Sequence, residues 1–129
     1  MTLALFVYGT LKRGAQSEGR RLLRDAEFVA RASTTGALYD LGRYPGLVRR
    51  TATRERVFGE VYRLPDDSGD RILRQLDAYE GNEFVRRRLY VTFPNGRKRL
   101  AWAYILRHRP PRTARHVQSG RYASRRRVA

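Results

Sequence analysis

The chain contains no cysteine. That absence removes disulfides, zinc–thiolate centres and thiol nucleophiles from consideration. Histidine is almost as scarce. His108 and His116 are the only two, and both lie in a polar stretch rich in Arg and Pro, where solvated surface rings are expected rather than metal ligands. No serine stands in a nucleophile-elbow pattern. Nowhere do 18 apolar residues run together, so no membrane span is expected. The first apolar run is too short for a secretory leader and lacks both a basic lead and a small-residue cleavage site, which points to a cytoplasmic protein. Acidic side chains are few, 12 against 28 basic ones, for a formal net charge of +16. All the basic residues except Lys12 and Lys98 are arginine. Such a balance suits contact with nucleic acid or an anionic surface. The arginines are scattered, however, apart from Arg86-Arg87-Arg88 and Arg125-Arg126-Arg127, so no specific nucleic-acid partner is expected.

What is present is organised around LALFVYGTLKRG, residues 3–14. Leu3 to Val7 is a short unbroken apolar run that Gly9 ends, which reads as a strand buried on both faces. The turn Tyr8-Gly9-Thr10-Leu11 follows. Glycine opens backbone angles closed to other residues and lets a ligand approach the main chain. Free N–H groups in such a turn form an anion-binding concavity. The turn is therefore either a substrate cradle or an ordinary strand end.

The rest of the chain reads as one domain, large enough at 129 residues to bury a core without staples. Leu22, Leu23 and Ala26 suggest a short helix within residues 16–28, with Ser17 as its cap. Residues 33–41 read as a strand, and Arg43-Tyr44-Pro45-Gly46 as a turn leading into a short strand at Leu47 and Val48. Residues 56–64 alternate, with Val57, Gly59 and Val61 on one face and Phe58, Glu60, Tyr62 and Leu64 on the other. Ile72, Leu73, Leu76 and Tyr79 recur at helical spacing over residues 70–79, and Gly81 stands where a helix-ending glycine belongs. Residues 84–93 and 98–106 form two strands around Pro94-Asn95-Gly96, a hairpin signal. After Arg107 a loop and tail are expected. Five or six strands against two short helices give an α+β domain with a mixed sheet curled into a small barrel. The expected boundaries are 1–122 for the domain and 123–129 for a basic tail.

With cysteine gone and histidine unconvincing, carboxylates are the residues left for acid–base work. Glu80 ends the second helix in LDAYEG. The negative end of a helix disfavours a charged carboxylate, by about 0.3–1 kcal/mol when exposed, and burial beside Tyr79 pushes the pKa up further. A glutamate so tuned takes a proton from an amine and returns it; a solvated helix-end glutamate does not. Asp77, one turn earlier, fits a structural role. Glu60 and Glu83 are the competing carboxylates.

VYGTLKRG, RYPGLV, VFGEVYRL, LDAYEG and SGRY occur in this order from Val7 to Tyr122. As an ordered set they resemble the γ-glutamylcyclotransferase family in its small single-domain form. The resemblance implies a small barrel of mixed strands with flanking helices and no metal or other cofactor. It implies release of 5-oxoproline and a free amine from a γ-glutamyl amine or amino acid, by attack of the substrate's own α-amine. It further implies that Tyr8, Gly9, Thr10 and Leu11 hold the glutamyl part, that Glu80 is catalytic, and that Tyr44 and Tyr122 belong to the pocket wall. One departure stands out: the family's tail motif carries an acidic residue where this chain has Arg121. Two alternatives stay open at this point: a non-catalytic small-molecule-binding module on the same fold, and a basic nucleic-acid-binding domain. No residue names the departing amine or an oligomeric state.

Overall fold

The computed structural model describes residues 3–9 and 18–122. In chain order the elements are β1 (Ala4–Val7), α1 (Glu18–Leu22), β2 (Glu27–Thr35), β3 (Ala37–Asp40), β4 (Pro45–Val48), β5 (Arg56–Arg63), α2 (Gly69–Glu80), β6 (Phe84–Thr92), β7 (Lys98–Leu106) and β8 (Arg115–His116). A 3₁₀ turn, Gly81–Glu83, joins α2 to β6. Five strands close on themselves in the order β1-β5-β2-β6-β7-β1, all antiparallel except the parallel β1–β7 contact. Closure leaves no edge in this ring. It is the small mixed barrel with two helices that the sequence predicts.

β1 is fully buried along its length, as its unbroken apolar run demands. Ala4 and Phe6 point into the barrel with Val57, Val61, Ala101 and Ala103. Leu5 and Val7 point outward, into a second cluster with Tyr62, Leu64, Tyr104 and the apolar stripe Ile72, Leu73 and Leu76 of α2. The period of two in β5 feeds both clusters, Val57 and Val61 inward and Tyr62 outward. The helix is thus an outer layer on the barrel wall, held by one apolar stripe.

One edge of β7 serves two parallel partners in succession. Trp102 faces Leu5 of β1, and Ile105 faces Leu47 of β4. β1 ends where β4 begins, so a seam opens between them. The Tyr8 hydroxyl spans it, donating to the Tyr104 carbonyl at 2.5 Å and accepting from the Leu47 N–H at 3.1 Å.

Three expectations need correction. The predicted strand over residues 33–41 is two strands, because Gly36 breaks it with φ of 152° and the second half pairs with β4 instead. The predicted helix within residues 16–28 is only Glu18–Leu22. Glu27 and Phe28 join β2, opposite Arg63 and Tyr62, where Glu27 accepts from Arg63 and the Phe28 ring meets Tyr62 edge-on at 5.7 Å; Ser17 lies outside the described residues. The segment after Arg107 is more than a loop. It adds β8 to β3, and the Gly120 carbonyl accepts from Phe58 N–H at 2.8 Å. His116 on β8 is correspondingly no free surface ring: it stacks on Tyr39 and lies 2.9 Å from Glu55.

Candidate active site

A cavity of about 350 Å³ opens above the seam. Its floor is the end of β1, residues 6–9. One wall is the β3–β4 hairpin with Arg43, Tyr44 and Pro45; the other is the end of α2 with Tyr79 and Glu80, backed by Phe84 and Tyr104. Of the residues singled out from the sequence, Tyr8, Gly9, Tyr44 and Glu80 all line this one space, although they come from three separate stretches of chain. Thr10 and Leu11 lie outside the described residues. Tyr122 is elsewhere: it is buried in the barrel core and does not line the cavity.

Gly9 is a glycine for a different reason than backbone freedom. Its φ is not in the positive range. A Cβ there would meet Pro45 Cγ at 2.5 Å and Cδ at 2.9 Å, and a proline ring has little room to give. The YGT and YPG motifs are therefore the two halves of one contact that brings the floor and a wall of the cavity together.

Glu80 is the last residue of α2. Gly81 follows with φ of 72°, which turns the chain off the helix at once and leaves the carboxyl at the cavity. Burial, and then the neighbouring Glu83 charge, push the Glu80 pKa from its ordinary 4.5 to about 7. The phenols of Tyr8, Tyr44 and Tyr104 all feel this carboxyl's charge. Glu83 itself does not line the cavity: it is exposed and accepts from the Tyr44 hydroxyl. That hydrogen bond, with some burial, pushes Tyr44 up to about 12. Glu60 accepts from Tyr62 at 3.0 Å and lies outside this cavity. Among the competing carboxylates, Glu80 alone lines it.

Helix position is set by a polar clamp one turn earlier. Asp77 accepts from Arg86 Nε at 2.8 Å and Nη2 at 3.1 Å, and from the Tyr104 hydroxyl at 2.6 Å. Partial burial raises the Asp77 pKa, but these hydrogen bonds and the Arg86 charge outweigh it and hold the carboxyl below its usual value. Arg86 lies over the Trp102 ring at 4.4 Å, so α2 is tied to β6 and β7 together. Asp77 is structural, as its position suggested. Tyr104 reads from sequence only as a core residue on β7; its second role depends on pairings that no local signal carries. Burial, and then the Asp77 bond, push its phenol far up, so it is a neutral donor.

The sequence matches the gamma-glutamyl cyclotransferase, AIG2-like family over residues 5–124. The chain belongs to that family. Its γ-glutamyl cyclotransferase-like function rests on this membership. A Vibrio cholerae protein provisionally named a γ-glutamylcyclotransferase is 37% identical over 103 residues, 78% of this chain and 79% of that protein. The Escherichia coli γ-glutamylcyclotransferase family protein YtfP is 29% identical over 126 residues, 95% of this chain and 98% of its own. The crystal structure of a mouse AIG2-like protein superposes with a TM-score of 0.68 at 27% identity, covering 84% of this chain and 80% of that one. No helix among the described residues is long and apolar enough to cross a membrane.

Proposed function

We propose that this AIG2-like chain releases 5-oxoproline and a free amine from a γ-glutamyl compound, with Glu80 as the proton carrier. The observation that supports this reading best is the Glu80 carboxyl, brought to the cavity wall by the end of α2 and tuned to about 7. The substrate's α-amine has a pKa of about 7.7–8.0, so at neutral pH it is mostly ammonium and cannot attack. A carboxylate of ordinary pKa would accept that proton against a gap of more than three units, about 4–5 kcal/mol. At about 7 the gap shrinks to roughly one unit, about 1.4 kcal/mol, and the protonated acid is then strong enough to give the proton on.

The steps balance without a further reagent. Glu80 takes a proton from the ammonium. The freed nitrogen attacks the side-chain carbonyl carbon and a C–N bond forms, leaving charge on the oxygen. The C–N bond to the departing amine then breaks as Glu80 returns the proton to that nitrogen, and the ring nitrogen's second hydrogen follows through the same carboxylate, which leaves a neutral lactam N–H and lets the amine depart as an ammonium. Water takes no part. The five-membered ring closes within one molecule, so holding the glutamyl chain folded supplies much of the rate. In this reading the β1 loop from Tyr8 through Gly9 to Thr10 and Leu11 holds the glutamyl part, and main-chain N–H groups there face the developing oxyanion. Tyr44 closes the other side. Its phenol and those of Tyr8 and Tyr104 stay protonated at neutral pH, which leaves the proton transfer to Glu80.

The test is 5-oxoproline release from γ-glutamyl dipeptides, ε-(γ-glutamyl)lysine, glutathione and γ-glutamyl alkylamines, run alongside Glu80→Gln. Release that the folded variant loses supports the assignment; release that it keeps overturns the role of Glu80. Binding of these compounds without release from any of them would make the chain a binding module on this fold.

A further inference from the structure

The mouth of the cavity carries a cation that pairs with no acid among the described residues. Arg43 sits at the tip of the β3–β4 hairpin and lines the cavity together with Tyr44 and Glu80. It makes no hydrogen bond or ion pair among the described residues. Two acids beside the hairpin are engaged elsewhere. Asp40 accepts from the Gly42 N–H at 2.8 Å and pairs with Arg115 at 3.2 Å. Glu83 accepts from the Tyr44 hydroxyl. The hairpin tip is itself pinned, with the Leu41 N–H on the Tyr44 carbonyl at 2.9 Å, so the Arg43 backbone is held at the rim. Its charge is felt by the neighbouring Tyr44 phenol, where it opposes the upward push of Glu83 and burial.

We infer that Arg43 forms a subsite for a carboxylate on the departing amine, which makes γ-glutamyl amino acids, rather than γ-glutamyl alkylamines or polyamines, the substrate class. This rests on the cyclotransferase reading for the reaction that reports it. In that reading the carboxylate common to every substrate, on the glutamyl α-carbon, lies at the β1 loop on the cavity floor. The hairpin rim is then left to the other half of the molecule. A guanidinium recognises a carboxylate with a planar fork of donors, and it repels an amine that carries a second positive charge. The cavity, at about 350 Å³, is at the small end of ligand sites, a size for a dipeptide-like molecule rather than a long one.

γ-Glutamylalanine and γ-glutamylethylamine differ only in the carboxylate on the departing amine. The wild-type protein is expected to release 5-oxoproline from the first with kcat/KM about 5- to 30-fold higher, the range of one charge-assisted contact at a partly exposed site. In Arg43→Gln that ratio falls to about one, and Arg43→Lys recovers part of it. Titrating the same two compounds into Glu80→Gln by calorimetry reads the same preference as a ratio of Kd without turnover. A ratio near one in the wild type, a ratio that Arg43→Gln leaves intact, or a preference for a γ-glutamyl polyamine overturns the inference. An equal loss on both compounds also overturns it, because Arg43 then holds the glutamyl half. Absence of release from either compound counts against the cyclotransferase reading, and the Kd ratio on Glu80→Gln then decides the subsite alone.

Discussion

Replacing Glu80 by glutamine is expected to stabilise the protein, and only at high pH. The folded-state pKa of Glu80 is raised from 4.5 to about 7, so folding favours the protonated carboxyl. Its contribution is fully present below about pH 4.5. It is lost progressively as pH rises and the carboxyl must ionise in place, and the loss levels off above about 7. A shift of about 2.5 units corresponds to about 3 kcal/mol at most. Glu80 is only half-buried, and solvent screening brings the expected difference down to about 1–2 kcal/mol. Glutamine keeps the shape of the protonated acid and never ionises, so the two proteins should unfold together at pH 4.5. At pH 8.5 the variant should melt about 5 °C higher, from the usual relation between ΔΔG and Tm at this size. Thermal or urea unfolding at four pH values from 4.5 to 8.5 measures this, and 5-oxoproline release on the same samples shows whether the stabilised form is the inactive one. Equal stability of both proteins at pH 8.5 would refute the claim that burial strains this carboxylate.

Two further substitutions probe how the cavity is built. Gly9→Ala places a Cβ 2.5 Å from Pro45 Cγ; overpacking of this kind costs about 1–3 kcal/mol, read as a lower urea midpoint together with weaker ligand binding. Asp77→Asn loses a carboxylate that accepts from both Arg86 and Tyr104, with an expected loss of about 1–3 kcal/mol at neutral pH. Because the Asp77 pKa is lowered in the fold, its stabilisation is present above its ordinary value and fades as pH falls below it, so the variant and wild type should converge in strong acid.

How much of this was legible depends on the reach of each signal. β1 declared itself because a strand buried on both faces needs an unbroken apolar run, and Leu3 to Val7 is one. The helix 69–80 and the hairpin at Pro94-Asn95-Gly96 follow from local periodicity and turn chemistry, and both formed where expected. Glu80 was legible as a candidate because it precedes a helix-ending glycine. The meaning of Gly9 was not. Its neighbour Pro45 lies 36 positions away, and no local pattern shows which ring a missing Cβ makes room for. The split of residues 33–41 falls at Gly36, but both halves have strand character and nothing local shows that the second half pairs with β4 instead. Tyr104 and β8 likewise depend on contacts made across the fold. Tyr122 matched the resemblance in order along the chain, yet it packs in the barrel core.

The seam between β1 and β4 has a consequence for how such proteins diversify. The floor of the cavity is the end of β1, bridged to its neighbours by one tyrosine hydroxyl bonded to a carbonyl and an amide. Its shape is therefore set by groups that also hold the strands together, the Tyr8 hydroxyl and the Gly9–Pro45 contact. The rim is the opposite case: Arg43 and Tyr79 are exposed, and exchanging them leaves the barrel untouched. Under the proposed cyclotransferase reading, a lineage built on this plan can change what departs from the glutamyl group while the grip on that group stays fixed, because the two tasks are written in different parts of the polypeptide.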